Sequence, residues 1–434
     1  MDSATANVTE MSPSQLRITI LGLNYGPEPT GIAPYTTGLA EGLTAAGHEV
    51  RVLTGYPHYP EWRVRQGYTG WSRSEVLNGV RLLRLRHFVP AAPKRLDRLL
   101  MEVTFGVRLL CSNWGKPDVV LLASPALIST AMAMLRLKLG LHPPRTVVWV
   151  QDIYSAGLVE TGAARGWAAT LIQKLESSTL NHADGVVAIH ERFKHYLTSR
   201  LALDEKAVRV IRNWTHLASA GPVNREAVRR SFGWTPDEIV VLHCGNIGAK
   251  QGLENVVEAA KIGAARNSPV RFVLMGDGNQ RTLLEASSAG IENLTFVDPV
   301  PTEDFQAVMA AADILLVNER PGITEMAVPS KLTSYFSTGN PVIAATDAGS
   351  VTASEIRASG AGVRVAAGDP LALVLTTEDL GRDMARRREL GRNGLQFRER
   401  TLSAAHAIQE FEEFLCELVT QKPLTNLLAT RGNK

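Results

Sequence analysis

The sequence predicts an α/β protein of two domains, each a mainly parallel β-sheet covered by helices on both faces. Three observations carry that prediction: a length of 434 residues, a strand–glycine turn–helix–strand grammar that occurs twice, and strands that then keep alternating with helical patterns. One core rarely serves more than ~250–300 residues, so this length calls for two domains of roughly 200 residues each. Hydrophobic residues at 45% and charged residues at 21% are those of a globular chain rather than a disordered or fibrous one. The formal net charge of +3 gives no argument for a nucleic-acid partner.

The first unit of the grammar opens with the strand Arg17–Leu23, passes through a loop to Gly31, continues as a helix over Ala33–Ala46 and returns as the strand Glu49–Thr54. Gly47 stands where the helix end wants a left-handed residue. Further strands are predicted at Val119–Ala123, Thr146–Val150 and Gly185–Ile189. The second unit begins at Ile239–His243, turns through Cys244–Gly252 and continues as a helix over Leu253–Ala265. Strands follow at Val270–Met275, Leu294–Val297, Ile314–Val317 and Pro341–Ala345. Such alternation implies parallel sheets, because parallel neighbours need a crossover helix. A linker around Asn213–Val223 separates the halves, giving domains at 16–213 and 224–400 and a C-terminal helix within 401–420. Two Rossmann-like sheets of this kind would face each other across a cleft at the carboxyl ends of their strands, where such folds bind ligands.

Cys111, Cys244 and Cys416 are far apart and form no CxxC pair, so a reducing cytoplasm is expected, without a disulfide framework or structural zinc. Residues 1–15 are polar and small and do not resemble a signal peptide. The uncharged run Val119–Leu135 is interrupted by Pro125 and is too short to span a bilayer.

Three loops have the composition of anion sites. In Asn24–Ile32, Gly31 sits just before a helix, where backbone N–H groups can approach an oxyanion; a plain loop glycine fits equally well. The loop lacks GxGxxG, and the second strand ends at Thr54-Gly55 with no acid for a ribose, which argues against NAD. The loop His243–Gly252 places Gly245, Gly248 and Gly252 around Lys250, suited to a diphosphate but without the P-loop spacing. Pro329-Ser330-Lys331 opens a helix over Leu332–Ser337, with Ser330 as its cap and Lys331 at its start. Two lysine-bearing loops in one domain favour a diphosphate ligand. Gly276-Asp277-Gly278 is either a tight turn or a ligand contact. Past the strand Thr146–Val150, Asp152 either orients an acceptor hydroxyl or caps a helix. His190-Glu191 also follows a strand, with the wrong spacing for HExxH. No Asp-Xaa-Asp occurs in the chain, so no metal is expected.

The blocks GLNYGPEPTGIAPYTTGLAEGLTAAGHEVRVLTGYPHYPEW, CGNIGAKQGLENVVEAA, MGDGNQR and VPSKLTSYFSTGNPVIAA together resemble the family 4 glycosyltransferases of the GT-B fold, from Arg17 to about Glu417. The match is to the bacterial exopolysaccharide subgroup of the colanic-acid fucosyltransferase kind. The resemblance implies a retaining, metal-independent transfer from a nucleotide sugar, with GDP-fucose favoured and a UDP-N-acetylhexosamine next. It implies a cytoplasmic enzyme, at the inner face of the plasma membrane, acting on a lipid-linked or glycan acceptor. The donor would meet Lys250, Lys331 and the Gly245–Gly248 backbone, with Asn246, Gly276, Asp277, Glu325, Ser330 and Leu332 around it and Gly31 opposite. Asp152 would stand near the acceptor. The C-terminal helix would cross back to the first domain.

Two departures matter. The usual pair of glutamates eight positions apart falls on Met326 and Ser334, with Glu325 as the available substitute for the first. The usual Arg/Lys pair reads as Asn246 and Gln251, with Lys250 one place early. A sugar-nucleotide epimerase on the same scaffold, or a non-catalytic assembly component, are the competing readings. Finally, Arg81, Arg84, Arg86, Lys94, Arg95 and Arg98 precede an apolar segment, Leu99–Leu110. Arg81–Leu110 is thus either a membrane-contacting surface or a core helix flanked by a solvated basic loop.

Overall fold

The computed structural model describes residues 15–29, 31–91, 95–124, 126–160, 166–215, 223–322 and 330–420. The apolar runs form strands buried on both faces, as parallel sheets under helices require. The first sheet contains β1 (Arg17–Gly22), β2 (Glu49–Gly55), β3 (Ser72–Leu77), β4 (Val80–Leu85), β5 (Val119–Ala123), β6 (Arg145–Val150), β7 (Gly185–Ala188) and β8 (Val208–Val210). Its order is β3-β4-β2-β1-β5-β6-β7-β8, parallel except for the antiparallel β3–β4 pair. The second sheet contains β9 (Ile239–Cys244), β10 (Val270–Met275), β11 (Leu294–Val297), β12 (Ile314–Asn318), β13 (Val342–Ala345) and β14 (Gly362–Val365). It is parallel throughout, in the order β11-β10-β9-β12-β13-β14.

Both orders reverse at a central strand. The chain runs outward from β9 to β11 and then returns beside β9 as β12; β1 and β5 make the equivalent switch in the first sheet. The loops leaving such neighbours in opposite directions open a crevice at the strands' carboxyl ends, which puts the β9 and β12 termini where a ligand belongs.

The chain divides into two units. One takes the chain up to Ser155, the stretch ending at Ile211, and again the chain from Ala407; the other takes Arg212–His406 with a short piece beginning at Ala156. The C-terminal helix, Ala404–Thr420, therefore belongs mostly to the first unit. Its Phe411 ring stands edge-on to Trp149 with centroids 5.0 Å apart, and Glu412 meets the buried His48 at 3.1 Å.

The β3–β4 hairpin was not legible in the sequence. β3 is mostly exposed and shows little hydrophobic alternation, so its turn, Asn78-Gly79 with φ of 48° and 82°, is the stronger signal. Of the basic residues in Arg81–Leu110, the hairpin takes Arg84 out of both readings, the membrane-contacting surface and the solvated basic loop. Val80, Leu82 and Arg84 share the inward face of β4 by strand alternation, so Arg84 is 1% exposed while Arg81 points outward to Glu49 at 2.8 Å. Arg84 Nη2 donates to the Gly26 carbonyl at 2.5 Å and Nε to Glu75, so this arginine braces the loop after β1. The helix expected at Leu99–Leu110 begins at Arg95. Lys94 and the side chain of Arg95 lie outside the described residues. Among the described residues no helix is long and apolar enough to cross a membrane.

Candidate functional site

β9 is buried along its length and ends in His243 and Cys244. The loop that follows stays paired with the loop after β10: Gly245 N–H donates to Met275 O at 2.8 Å and Ile247 N–H to Asp277 O at 2.8 Å. A Cβ on Gly276 (φ 146°) would overlap the Gly245 carbonyl oxygen, so a side chain there would part the two loops. The glycines let two backbones form one wall at the switch point.

Lys331 stands against that wall. It lies in the helix Ser330–Tyr335, and its ammonium is 2.8 Å from His243 Nε2. His243 is fully buried, and its Nδ1 lies 3.2 Å from the Leu316 carbonyl. With Nδ1 donating there, Nε2 is left to accept from the lysine. A Cβ on Gly245 would come within 3.3 Å of Lys331 Cε, so the lysine stem runs directly beneath this glycine. Burial lowers the Lys331 ammonium to about 8, against the opposing pull of Cys244 and Glu319, and it remains protonated at neutral pH. Burial first, then the lysine charge, holds His243 well below its ordinary value. Among the described residues no carboxylate forms an ion pair with this ammonium. It is a desolvated cation on a neutral partner, the arrangement an anionic ligand completes.

Tyr335, one turn on, supports the same strand end: its hydroxyl accepts from Cys244 N–H at 2.9 Å and lies 3.3 Å from Leu316 O.

Lys250 is exposed on the 3-10 turn Ala249–Gln251. Asn318, the last residue of β12, fixes that turn by donating to the carbonyls of Gln251 at 2.7 Å and Gly252 at 2.9 Å. Asn255 in turn donates to Asn318 Oδ1 at 2.9 Å. Gln251 Oε1 accepts from Gly248 N–H at 3.2 Å and from Asn246 Nδ2 at 3.5 Å. This corrects the expectation that the Gly245–Gly248 backbone supplies the anion donors. The N–H groups of Gly245, Ile247 and Gly248 are already engaged inside the protein, and the positive groups beside this loop are lysine side chains. Asp277 is exposed, with its carboxyl accepting from Gly278 N–H at 2.7 Å.

Leu332 is 2% exposed within the core, so a ligand could reach only its backbone. Glu325, with Met326 and Pro329, lies outside the described residues, as does the side chain of Ser330. His243, Asn318 and Glu319 carry no motif that sequence reasoning connects with the site. Glu319, just past β12, accepts from the hydroxyls of Thr346 and Thr352. A polar residue that ends an otherwise apolar strand was the available signal for all three.

In the first unit, Gly31 has φ 67°, and a Cβ there would meet the Tyr59 ring at 3.6 Å. The neighbouring Glu28 is 5% exposed and accepts from the backbone of His58 (2.8 Å) and Tyr59 (2.9 Å) and from Asn24 Nδ2 (2.8 Å), locking the loops after β1 and β2 together. Asp152 is exposed just past β6. The N–H groups of Tyr154 and Ser155 beyond it go to the buried Glu176, at 2.8 and 3.0 Å. Among the described residues no cluster of His, Cys, Asp or Glu could hold a metal ion.

Comparison with known proteins agrees with this architecture. The description "Glycosyl transferase 4-like domain" matches residues 30–214, and "Glycosyl transferases group 1" matches residues 238–383. WcaI of Escherichia coli strain K12, whose name assigns it to colanic acid biosynthesis as a glycosyl transferase, is 32% identical over 344 residues, covering 76% of this chain and 83% of WcaI. Sucrose-phosphate synthase from Thermosynechococcus elongatus matches with TM-score 0.71 at 19% identity, covering 93% of this chain and 99% of that one. Anabaena HepE, solved in complex with UDP-glucose, matches with TM-score 0.66 at 14% identity over 92% and 99%. At these identities the structural likeness speaks to the fold alone. The sequence likeness carries the assignment: the chain belongs to the family 4 glycosyltransferases of the GT-B fold.

Proposed function

We propose that this glycosyltransferase takes its sugar from a nucleoside diphosphate donor held on the second unit and passes it, with retention of configuration, to a lipid-linked or glycan acceptor in exopolysaccharide or cell-surface glycan synthesis. The carrying observation is Lys331, a desolvated ammonium on neutral His243 at the carboxyl end of the switch-point strand. In the transfer, the bond between the anomeric carbon and the β-phosphate oxygen breaks and the acceptor hydroxyl oxygen bonds to that carbon on the same face. The hydroxyl proton passes to the departing phosphate. Negative charge grows on the diphosphate as the bond breaks, and a lysine already placed there stabilises that charge without reorganising. Lys250, exposed on its turn, is the second cation. Asp152 orients the acceptor hydroxyl. Paired lysines replace a bridging divalent ion, in keeping with a chain that has no Asp-Xaa-Asp.

GDP-fucose is the favoured donor, on the likeness to the exopolysaccharide subgroup, and a UDP-N-acetylhexosamine is next; HepE's complex with UDP-glucose supports a nucleotide sugar in general. The enzyme would work in the cytoplasm at the inner membrane face. Thermal stabilisation by GDP, UDP, dTDP and their sugars tests the donor site. One base should stabilise selectively, with or without EDTA, and the effect should vanish in Lys331→Ala. A folded sample that responds to none of them would overturn the reading.

A further inference from the structure

The carboxyl end of β12 carries a further cation, Arg320, that the donor site as described does not use. Past Asn318 the chain stays tied to both neighbours. Glu319 N–H donates to the Ala345 carbonyl at 2.9 Å, on the β13 side, and Arg320 N–H donates to the Lys250 carbonyl at 3.0 Å, on the β9 side. Amides that alternate between flanking chains continue the strand pattern, in which successive side chains part to opposite faces. The Glu319 carboxylate goes to the hydroxyls of Thr346 and Thr352, whereas Arg320 is exposed. Two residues further, Gly322 N–H donates to Asp347 Oδ2 at 2.8 Å, so the backbone around Arg320 is held on both sides.

Gly252 brings Arg320 beside Lys250. It has φ 55°, and a Cβ there would meet Arg320 Cα at 2.9 Å and Arg320 Cβ at 3.1 Å. A glycine therefore lets the 3-10 turn that carries Lys250 lie directly against Arg320. Asn318 holds the same turn through the carbonyls of Gln251 and Gly252. The end of β12 also lies within electrostatic reach of Lys331, because Glu319 opposes the lowering of that ammonium. Among the described residues the Arg320 side chain makes no hydrogen bond or ion pair. Arginines that brace this unit do otherwise: Arg229 and Arg387 are both paired with Asp313, at 2.9 and 2.6 Å.

We infer that Arg320 is a third cation of the donor site and binds the terminal phosphate of the nucleoside diphosphate as it leaves. The inference rests on the donor reading and adds a residue to it. A nucleotide sugar carries one charge on each phosphate, which Lys331 and Lys250 balance one for one. When the bond from the anomeric carbon to the β-phosphate oxygen breaks, that phosphate takes the acceptor's proton. Loss of the proton to water then leaves one more negative charge on the product. The N–H groups of Gly245, Ile247 and Gly248 are engaged within the protein and cannot meet it. A guanidinium can, because it stays protonated throughout and offers paired N–H donors to two phosphate oxygens at once.

Calorimetry on the full chain tests this with GDP, UDP and dTDP, each beside its own monophosphate. For the base that binds, Arg320→Gln should weaken the diphosphate by about tenfold, as loss of a charge-assisted contact does, and leave the monophosphate within about twofold. Arg320→Lys should recover part of the loss, since it keeps the charge without the paired donors. Arg81→Gln removes the same charge from the first unit and should change neither ligand. Melting of each variant reports its folding. Diphosphate affinity indifferent to Arg320→Gln would overturn the inference. So would an equal fall for both nucleotides, or the same fall in Arg81→Gln, either of which marks a general loss of structure or of positive field. If Lys331→Ala abolishes diphosphate binding while Arg320→Gln leaves it intact, Arg320 alone is removed and the donor reading stands. If the wild-type chain binds no nucleoside diphosphate, the donor reading and the inference fall together.

Discussion

The two switch points handle buried charge in opposite ways. In the first unit three buried acids have donors built around them: Glu28 takes two backbone N–H groups and Asn24, Glu176 takes two N–H groups at a helix start, and Glu102 takes Ile128 N–H at 2.8 Å. In the second unit the group at the end of the switch-point strand is a part-buried cation, Lys331, hydrogen-bonded to a neutral histidine. A buried charge whose hydrogen bonds close within the fold contributes to structure. One with no ion-pair partner among the described residues costs stability, and an anionic ligand would supply that partner. Substitutions at the acids should therefore be read in folding, and substitutions at the lysine in binding.

The largest effect expected is on folding. Glu28→Ala leaves the buried N–H groups of His58 and Tyr59 without an acceptor and should cost about 2–4 kcal/mol by urea denaturation, with nucleotide affinity of the folded fraction unchanged. A loss of nucleotide binding at full stability would break the comparison from that side. Lys331→Ala should do the reverse, weakening nucleotide binding by about 100-fold in titration calorimetry, as removal of one preorganised charge does, with little loss of melting temperature.

pH separates the two regions again. The Lys331 ammonium is lowered by burial to about 8, so the folded chain releases this proton more readily than the unfolded one. Its contribution to stability rises from about pH 8 toward the ordinary lysine value, while nucleotide affinity falls over the same window. Lys331→Met should flatten both. Burial raises the Glu102 carboxyl to about 7 despite the Ile128 N–H, so its contribution is present below the ordinary carboxyl value and is lost as pH rises through about 7. The slope is at most about 1.4 kcal/mol per pH unit for one proton. Glu102→Gln should remove it in melts between pH 5 and 8.

His243→Leu sharpens the comparison. It removes the lysine's acceptor and should cost about 1–2 kcal/mol of stability together with part of the nucleotide affinity. The smallest effect belongs to Arg81→Gln, at an exposed ion pair with Glu49, and should lie within about 0.5 kcal/mol in the same melts. A loss several times larger would mean that β4 depends on its outward face.

Much of this molecule could be read along the chain. Strands such as Val119–Ala123 and the run Ile239–Leu242 are unbroken apolar stretches, and Gly47 with φ 100° ends a helix where a left-handed residue is wanted, because burial and backbone sterics act on neighbours in sequence. The lysine of VPSK and the glycines of the β9 and β10 loops were legible for the same reason, as residue types suited to an anion and to close backbone approach. Tertiary structure alone decided which charges are buried. Arg84 and Arg81 lie three residues apart in one basic stretch, and only the register of β4 on β2 sends one inward to Gly26 and the other out to water. Lys331 and His243 are 88 residues apart, and only the parallel order that sets β9 beside β12 brings a helix lysine onto a strand histidine. That contact desolvates the lysine and fixes its direction. Its charge belongs to the sequence; its readiness for an anion belongs to the fold.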